Sequence, residues 1–136
     1  MVALLNKISP ILVLNNMAKA HRLGEWGENT ARVFLELCGY QCLDQRYRRP
    51  GGEIDLVMRK GAIVVFVEVK TRGVGAIASA DEWFHPRQQR RLRKLALYWL
   101  QEFSGPAPDD LRFDLVAIDF SDEDGGASLR HLIGVA

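Results

Sequence analysis

The sequence predicts a single α/β domain built on a mixed β-sheet flanked by helices. A chain of 136 residues, 48% of them hydrophobic, is long enough to bury one core and short for two. Two stretches carry apolar residues at helical spacing, and a nearly uninterrupted apolar segment lies between them at 62–70. So continuous an apolar run is typical of a strand in the middle of a sheet.

The first helix is predicted from about Lys19 to Leu37. Small and apolar residues recur along it at helical spacing, namely Leu23, Gly27, Ala31, Phe34, Leu35 and Cys38. Gly39 follows, and glycine readily adopts the left-handed conformation that ends many helices. The second helix is predicted from Arg87 to Phe103, where Leu92, Leu95, Ala96, Trp99 and Phe103 form the face that should pack on the sheet.

Five strands complete the pattern. They are predicted at Tyr40–Tyr47, Glu53–Met58, Ala62–Lys70, Leu111–Asp119 and Ser128–Val135. Residues 73–86, rich in Gly and Ala, are expected to form a loop, and Ser121–Gly126 an acidic turn. The predicted order of elements is therefore α-β-β-β-α-β-β.

The N-terminal segment stands apart from this pattern. Its apolar stretches are interrupted by polar residues and a proline, lack a cleavage site of small residues, and are too short to span a bilayer. We expect residues 1–16 to be an extension that is disordered or not native, and residues 17–136 to form the domain. No membrane partner is expected.

Other residues that could carry chemistry are expected to be structural. Cys38 and Cys42 lack the further ligands of a disulfide framework or a zinc site, which favours buried free thiols in a reducing cytoplasm. Asp114 is expected to make a structural contact, either to Arg112 or to a loop backbone. The histidines show no metal-ligand spacing and are expected to be structural or superficial: His21, His85 and His131.

Charge is divided unevenly along the chain. From Lys19 to Lys94, 15 Lys and Arg stand against 9 Asp and Glu, whereas Gln101–Ala136 carry 2 against 8. The second helix concentrates basic and aromatic side chains within about 100° of one another: Arg87, Arg90, Arg91, Lys94 and Tyr98. Such a face suits a nucleic-acid backbone, although it can also be merely solvated. Four more residues could extend it: Arg46, Arg48, Arg49 and Arg72.

The second and third strands are expected to form a hairpin that brings two carboxylates together. If residues 60–61 form a two-residue turn, Asp55 lies opposite Phe66. Because side chains alternate along a strand, Glu68 and Lys70 share the face of Phe66. Asp55 and Glu68 then become diagonal neighbours about 7 Å apart at the backbone. A three-residue loop would instead put Asp55 on the other face.

Two carboxylates this close need a compensating positive charge. Mg²⁺, or Mn²⁺, fits best, because these cations prefer oxygen ligands and share their shell with waters and phosphates. Lys70 would neutralise the remaining charge. The alternative is a plain ion pair between Glu68 and Lys70 at the end of a strand, with Asp55 in a turn, and spacing alone does not decide between the two.

The same residues resemble a known family. Asp55 followed by Glu68-Val69-Lys70 is similar to the PD-(D/E)xK nuclease pattern. The whole ordered set resembles the Holliday-junction-resolvase-like branch and, within it, the uncharacterised bacterial YraN-like family. The matching stretches are Leu23–Glu28, Gly39–Tyr40, Gly52–Leu56, Phe66–Arg72, Arg90–Leu92, Arg112–Asp114 and Leu129–Leu132. The resemblance covers about residues 17–136 and implies a restriction-endonuclease-like fold; Gln88 stands where the family often carries Lys.

The resemblance also implies roles for individual residues. Asp55, Glu68 and the backbone carbonyl of Val69 would be metal ligands, and Glu28 would complete the shell directly or through water. Lys70 would orient or help deprotonate the attacking water, or stabilise the charge on the phosphate. Glu28 lies at the edge of the apolar stripe of the first helix, a position that would equally suit a surface glutamate. The implied activity is a metal-dependent endonuclease acting on DNA, with branched or recombination intermediates as substrates.

Two other functions compete with this one. A nucleic-acid-binding accessory protein on the same fold would cut nothing and would tolerate Asp55→Asn. A protein-interaction domain would use the acidic segment Asp109–Asp124 and would have no affinity for nucleic acid. DNA is favoured over RNA, and a homodimer would suit a two-fold substrate. The sequence alone decides neither cleavage, nor the substrate, nor the oligomeric state.

Overall fold

Two helices lie on a mixed sheet in the part of the chain that the computed structural model describes, residues 2–5, 20–72, 85–120 and 126–136. The elements are β1 (Val2–Leu5), α1 (Ala20–Leu37), β2 (Gln41–Arg49), β3 (Gly52–Lys60), β4 (Ile63–Arg72), α2 (Pro86–Glu102), β5 (Asp110–Phe120) and β6 (Ala127–Leu132). The strands form one six-stranded sheet in the order β1-β6-β5-β4-β3-β2. The predicted α/β class and mixed sheet are therefore confirmed.

From α1 onward the elements follow the predicted order. The structure adds β1, which pairs antiparallel with β6 at the edge of the sheet. That residues 1–16 are an extension to the native domain stays a prediction, and residues 6–19 lie outside the described part. The predicted loop at 73–86 falls largely outside it as well, apart from its last two residues, as does most of the predicted acidic turn at 121–126.

Strand β4 occupies the interior of the sheet because its first half, Ile63–Val67, is apolar on both faces. Val64–Val67 are buried, and Glu68 is only 7% exposed. β4 pairs antiparallel with β3 and parallel with β5. Parallel neighbours need a long crossover connection, and α2 lies in the segment that connects β4 to β5.

The two helices cover separate cores on the sheet. Helix α2 packs Leu92, Leu95, Ala96 and Trp99, the apolar face predicted from the sequence, onto a cluster that includes Phe66 and Leu115. Helix α1 belongs to a second cluster. That cluster contains Ala31, Leu35, Leu56, Met58, Val65 and Val116. The helices thus lie over different sets of sheet side chains.

The β3–β4 hairpin corrects the predicted register. Lys60 pairs with Ile63, so the two turn residues are Gly61 and Ala62 and not residues 60–61. Gly61 has φ 60, as the first central residue of a type II′ turn requires. The ladder therefore pairs Val57 with Phe66, and the predicted position of Asp55 opposite Phe66 is wrong. Phe66 pairs with Val57 instead of Asp55, so the pairing is shifted by two residues. The alternative three-residue loop is not formed.

No helix among the described residues is both long and apolar enough to cross a membrane.

Candidate functional site

Asp55 lies where strands β3 and β4 part. The paired ladder between them runs from Lys60–Ile63 to Leu56–Val67. One residue further, the Oδ2 atom of Asp55 accepts a hydrogen bond of 2.8 Å from the backbone N–H of Val69. The aspartate side chain thus bonds the next strand where the ladder ends, and this fixes its carboxylate between Glu68 and the open end of the sheet.

The carboxyl group of Asp55 is strongly perturbed. Burial is the main cause, and the negative charge of Glu68 adds to it, raising the pKa of Asp55 to about 8. The N–H of Val69 opposes the shift, while Glu28 and Glu53 reinforce it. A carboxyl group held among like charges is under-compensated, and such groups concentrate at functional sites.

Three carboxylates converge at this position. Glu28, Glu53 and Asp55 each place one carboxylate oxygen within 4.8 Å of the others, and we call these three residues the acidic cluster. Two of them come from β3 and Glu28 comes from α1. The helix approaches closely because Gly27 has no side chain, since a Cβ there would lie 2.0 Å from the Oγ1 of Thr71.

Glu53 is the member of this cluster that the sequence prediction missed. It lies inside the Gly52–Leu56 stretch, yet only Asp55 was singled out there. The signal was available, because residues two apart on a strand can present side chains to one face. Its carboxylate is also held from the neighbouring strand, where the Nε of Arg48 donates to Glu53 at 2.7 Å.

Glu68 and Lys70 form the ion pair that the alternative interpretation expected. The Nζ of Lys70 lies 3.1 Å from the Oε1 of Glu68. The same oxygen accepts from the side chain of Gln88 at 3.3 Å, so α2 also holds this glutamate. The ion pair and the acidic cluster occur together. Asp55, a member of the cluster, lies in β3 beside Glu68 and not in a turn. The proposed use of the Val69 carbonyl as a ligand stays a prediction.

A cleft of 520 Å³ opens over these groups. Its lining combines carboxylates with three arginines: Arg48, Arg49, Gly52, Glu53, Asp55, Glu68 and Arg91. Gly52 has φ 146, and a Cβ there would lie 3.0 Å from the Cδ of Arg91. A glycine at this position therefore lets the Arg91 side chain lie across the strand end and brings a cation from α2 to the carboxylates.

The predicted basic residues of α2 lie on its open side. Arg87, Arg90, Arg91 and Lys94 are exposed, and Tyr98 is 38% exposed. The helix begins in a way that fixes this orientation, because the ring of His85 caps the N–H of Arg87 and Pro86 starts the first turn.

The predicted basic residues of β2 and β4 have other partners. Arg49 is paired with Glu102 and lies over the ring of Tyr47, and Arg48 is paired with Glu53. Arg46 turns to the carboxylates of α1. Arg72 is half-buried at the end of β4. Arg48 and Arg49 therefore face the cleft, whereas Arg46 is engaged within the protein.

The donor set of the site suits a hard divalent cation. Every candidate ligand is a carboxylate oxygen, the type that Mg²⁺ and Mn²⁺ prefer. The charge of Asp55 points the same way, because a bound cation would supply the positive charge that the neighbouring residues do not. The residues present therefore fit the metal that the sequence pattern implies.

The residues expected to be structural behave as such. Asp114, 1% exposed, is bonded by both Arg112 and the Gly134 N–H, which are the two partners considered for it. It also meets His131, which is buried. Cys38 and Cys42 are both free and partly buried. The side chain of His21 lies outside what the structure describes.

Comparisons with known proteins agree on one family. The family described as "Uncharacterised protein family UPF0102" matches residues 27–118, a span that contains all four predicted catalytic residues. A UPF0102 protein of Parvibaculum lavamentivorans is 46% identical over 99 residues, which cover 73% of each chain. One of Beutenbergia cavernae is 40% identical over 113 residues, covering 83% of this chain and 94% of its own.

A third relative extends the match over nearly its entire length. The UPF0102 protein of Leifsonia xyli subsp. xyli is 37% identical over 119 residues, which cover 88% of this chain and 99% of that protein. The matched span of the family runs from α1, one residue before Glu28, to Ile118 in β5. This protein therefore belongs to the UPF0102 family, the YraN family that its motifs resemble.

Proposed function

We propose that this protein is a Mg²⁺- or Mn²⁺-dependent endonuclease on a restriction-endonuclease-like fold, and that it hydrolyses phosphodiester bonds in branched DNA or recombination intermediates. The observation that carries the proposal is the acidic cluster beside Glu68 and Lys70, in a cleft that also holds three arginines. A protein that only binds nucleic acid gains nothing from carboxylates held close to phosphates.

The metal ligands in this proposal are Asp55, Glu68 and Glu28, with the backbone carbonyl of Val69. The structure supports adding Glu53, because its carboxylate oxygen lies with those of Glu28 and Asp55. A bound divalent cation would lower the pKa of a water and polarise the phosphate, which is the chemistry that phosphodiester hydrolysis needs.

Lys70 has the second chemical role. Its side chain is 33% exposed while that of Glu68 is 8% exposed, so the ammonium group is the more accessible partner of the pair. From there it would orient the attacking water or stabilise negative charge on the phosphate. Gln88 bonds the same Oε1 atom of Glu68, so the glutamate keeps a donor from α2 when Lys70 moves.

The exposed cations would bind the DNA backbone. They lie on α2 and at the rim of the cleft: Arg87, Arg90, Arg91, Lys94, Arg48 and Arg49. The half-buried Arg72 at the end of β4 would add to them. Tyr98 lies on the same open side of α2. Neutralising phosphates releases counterions, so binding would weaken steeply as the salt concentration rises. We further propose that the protein works in the cytoplasm and pairs as a homodimer on two-fold substrates.

Cleavage of labelled junction, flap, single-stranded and duplex DNA with Mg²⁺ or Mn²⁺ tests the proposal. The parent should cut at least one branched substrate, and Asp55→Ala and Lys70→Ala should each lose cutting by about a hundredfold or more. Arg32→Gln is the matched control, because Arg32 pairs with Glu36 on α1, outside the acidic cluster.

Equal cutting by the parent and both variants would reveal a contaminating nuclease and would contradict the proposal. Tight, salt-sensitive binding without cutting would favour the non-catalytic nucleic-acid-binding accessory protein. Absence of binding at low salt would favour a protein-interaction domain. Retained circular dichroism spectra show whether each variant is folded.

A further inference from the structure

Arg46 has an unusual backbone conformation for a residue inside a strand. Its φ is 51, and among the residues that the structure describes it is the one non-glycine with positive φ. A side chain is disfavoured there by the clash of its Cβ with the backbone, and arginine has no special tolerance for it. Such outliers persist where the surrounding contacts impose them, and they cluster at functional sites.

This conformation re-aims the arginine. The Asp44 carboxylate accepts from the indole N–H of Trp99, and Tyr47 belongs to the core under α2, so both residues face α2. Residues three apart share a face only if the alternation of a strand is broken between them. Arg46 is the residue with the broken geometry, and its side chain leaves toward α1.

The side chain ends on two carboxylates of α1. The Nε of Arg46 donates to the Oε2 of Glu28 at 2.6 Å, and its Nη1 donates to the Oε1 of Glu25 at 3.3 Å. The Glu28 side chain is only 13% exposed and that of Arg46 35%. The contact with Glu28 is therefore shielded, whereas Glu25 is half-exposed and acts as an outer anchor.

We propose that Arg46 is a positioning residue that holds Glu28 against Glu53 and Asp55 and so sets the affinity of the acidic cluster for a divalent cation. This inference rests on the proposed metal site. A carboxylate has about four lone-pair sites, so Glu28 can accept from Arg46 and still bind a cation. Hydrogen bonds that orient metal-binding carboxylates are typically worth 10–100-fold in metal affinity.

The inference gives Arg46 a different task from the other arginines of β2. Arg48 and Arg49 line the cleft and can reach phosphate, but Arg46 is directed to α1. Its loss should therefore weaken binding of the metal in the absence of DNA. Loss of an arginine that only contacts phosphate would weaken DNA binding and leave the affinity for free metal unchanged.

The test is titration of the full-length protein with Mn²⁺ alone, followed by electron paramagnetic resonance of the free ion. Arg46→Gln should weaken Mn²⁺ binding about 10–100-fold relative to the parent. Arg46→Lys should recover part of the loss. Arg32→Gln removes the comparable arginine–glutamate pair with Glu36 and should bind Mn²⁺ like the parent.

Two further variants distinguish the loss of the Arg46 guanidinium from relief of the backbone strain and from a general perturbation of the structure. Arg46→Gly relieves the positive φ and should bind Mn²⁺ as weakly as Arg46→Gln, although its backbone is unstrained. Because Arg46 acts through Glu28, the double variant Arg46→Gln/Glu28→Gln should bind no more weakly than Glu28→Gln alone. Full additivity of the two losses would overturn the inference.

The other outcomes are equally decisive. Unchanged or tighter Mn²⁺ binding in Arg46→Gln overturns this inference and leaves the proposed metal site standing. If the parent does not bind Mn²⁺, or binds it independently of Asp55, the metal site and the inference are overturned together. A parent that binds Mn²⁺ through Asp55 but cuts no DNA overturns the endonuclease only, and the Arg46 effect on metal affinity is then still expected.

Discussion

Asp55 and Asp114 are aspartates on β3 and β5, the two strands that border β4, and their surroundings are opposite. Asp114 is buried, and burial alone would raise its pKa. Hydrogen bonds from His131, Arg112 and the Gly134 N–H outweigh that effect and hold the pKa of Asp114 below its usual value. Asp55 has one hydrogen bond and negatively charged neighbours, and its pKa is raised to about 8.

The difference separates a carboxylate whose charge the protein compensates from one whose charge it leaves under-compensated, as the proposed metal site requires. Every oxygen of Asp114 has a donor within the protein, so nothing further is needed for it to remain ionised. Asp55 is left short of positive charge, and the protein alone does not correct this. A buried carboxylate that lacks positive partners destabilises the fold unless a ligand compensates its charge. Burial alone therefore does not identify a candidate ligand-binding site, whereas the charges and donors around the buried group do.

The largest expected effect is on the structural side of the comparison. Asp114→Ala should lower the free energy of unfolding by about 3–5 kcal/mol, because it leaves the partly buried Arg112 guanidinium and the buried His131 without their acceptor. Urea unfolding monitored by circular dichroism measures the loss.

Asp119→Ala is the matched control on the same strand. Asp119 also pairs with an arginine, Arg130, at 3.1 Å, but the two side chains are 26% and 36% exposed. Screening by water limits such a pair to about 1 kcal/mol or less. Equal losses in the two variants would mean that the Asp114 network is no stronger than a surface ion pair, and the comparison would fail.

The second expected effect tests the cleft. In the metal-free protein, Asp55→Asn should be more stable than the parent by about 2 kcal/mol at pH 8. Asparagine keeps an acceptor for the Val69 N–H and removes the charge that Glu68 repels. A shift of one pKa unit is worth about 1.4 kcal/mol, and water in the open cleft reduces the total well below the full shift.

The sign of the pH dependence follows from the raised pKa. In the unfolded chain Asp55 ionises near 3.8, whereas in the folded protein it keeps its proton until about pH 8. Between these two pH values the folded state binds more protons than the unfolded state. The parent therefore loses stability relative to Asp55→Asn as the pH rises through this range, and above about pH 8 the difference in stability is constant. A difference in stability between Asp55→Asn and the parent that ignores pH would refute the explanation.

Much of the fold could be predicted because its signals are local. The apolar run of β4 and the helical spacing in α1 and α2 need no knowledge of distant residues. The hairpin turn was placed one residue too early because the sequence shows a glycine but not which turn position it takes. Strand β1 was missed, since four residues acquire strand structure only by pairing with β6.

The candidate site was predictable only as far as its motif. Asp55, Glu68 and Lys70 lie on one hairpin, so their proximity follows from strand pairing. The contacts of Gln88 to Glu68 and of Arg46 to Glu28 join distant elements and depend on how each helix packs. The left-handed conformation of Arg46 could not be foreseen, because no local preference favours it for arginine.

The smallest expected effect concerns Tyr40, which contacts Arg112 at the edge of the hydrogen-bond network around Asp114. The hydroxyl of Tyr40 accepts from Arg112 at 2.7 Å, while its ring lies 6.0 Å from that of His131. Tyr40→Phe keeps the ring and removes the acceptor, so it should cost about 1 kcal/mol of unfolding free energy. Mn²⁺ affinity should stay at the parent value, because Tyr40 contacts Arg112, His131 and Lys60, which lie outside the acidic cluster. A loss near that of Asp114→Ala would mean that the tyrosine, and not the aspartate, organises these buried charges.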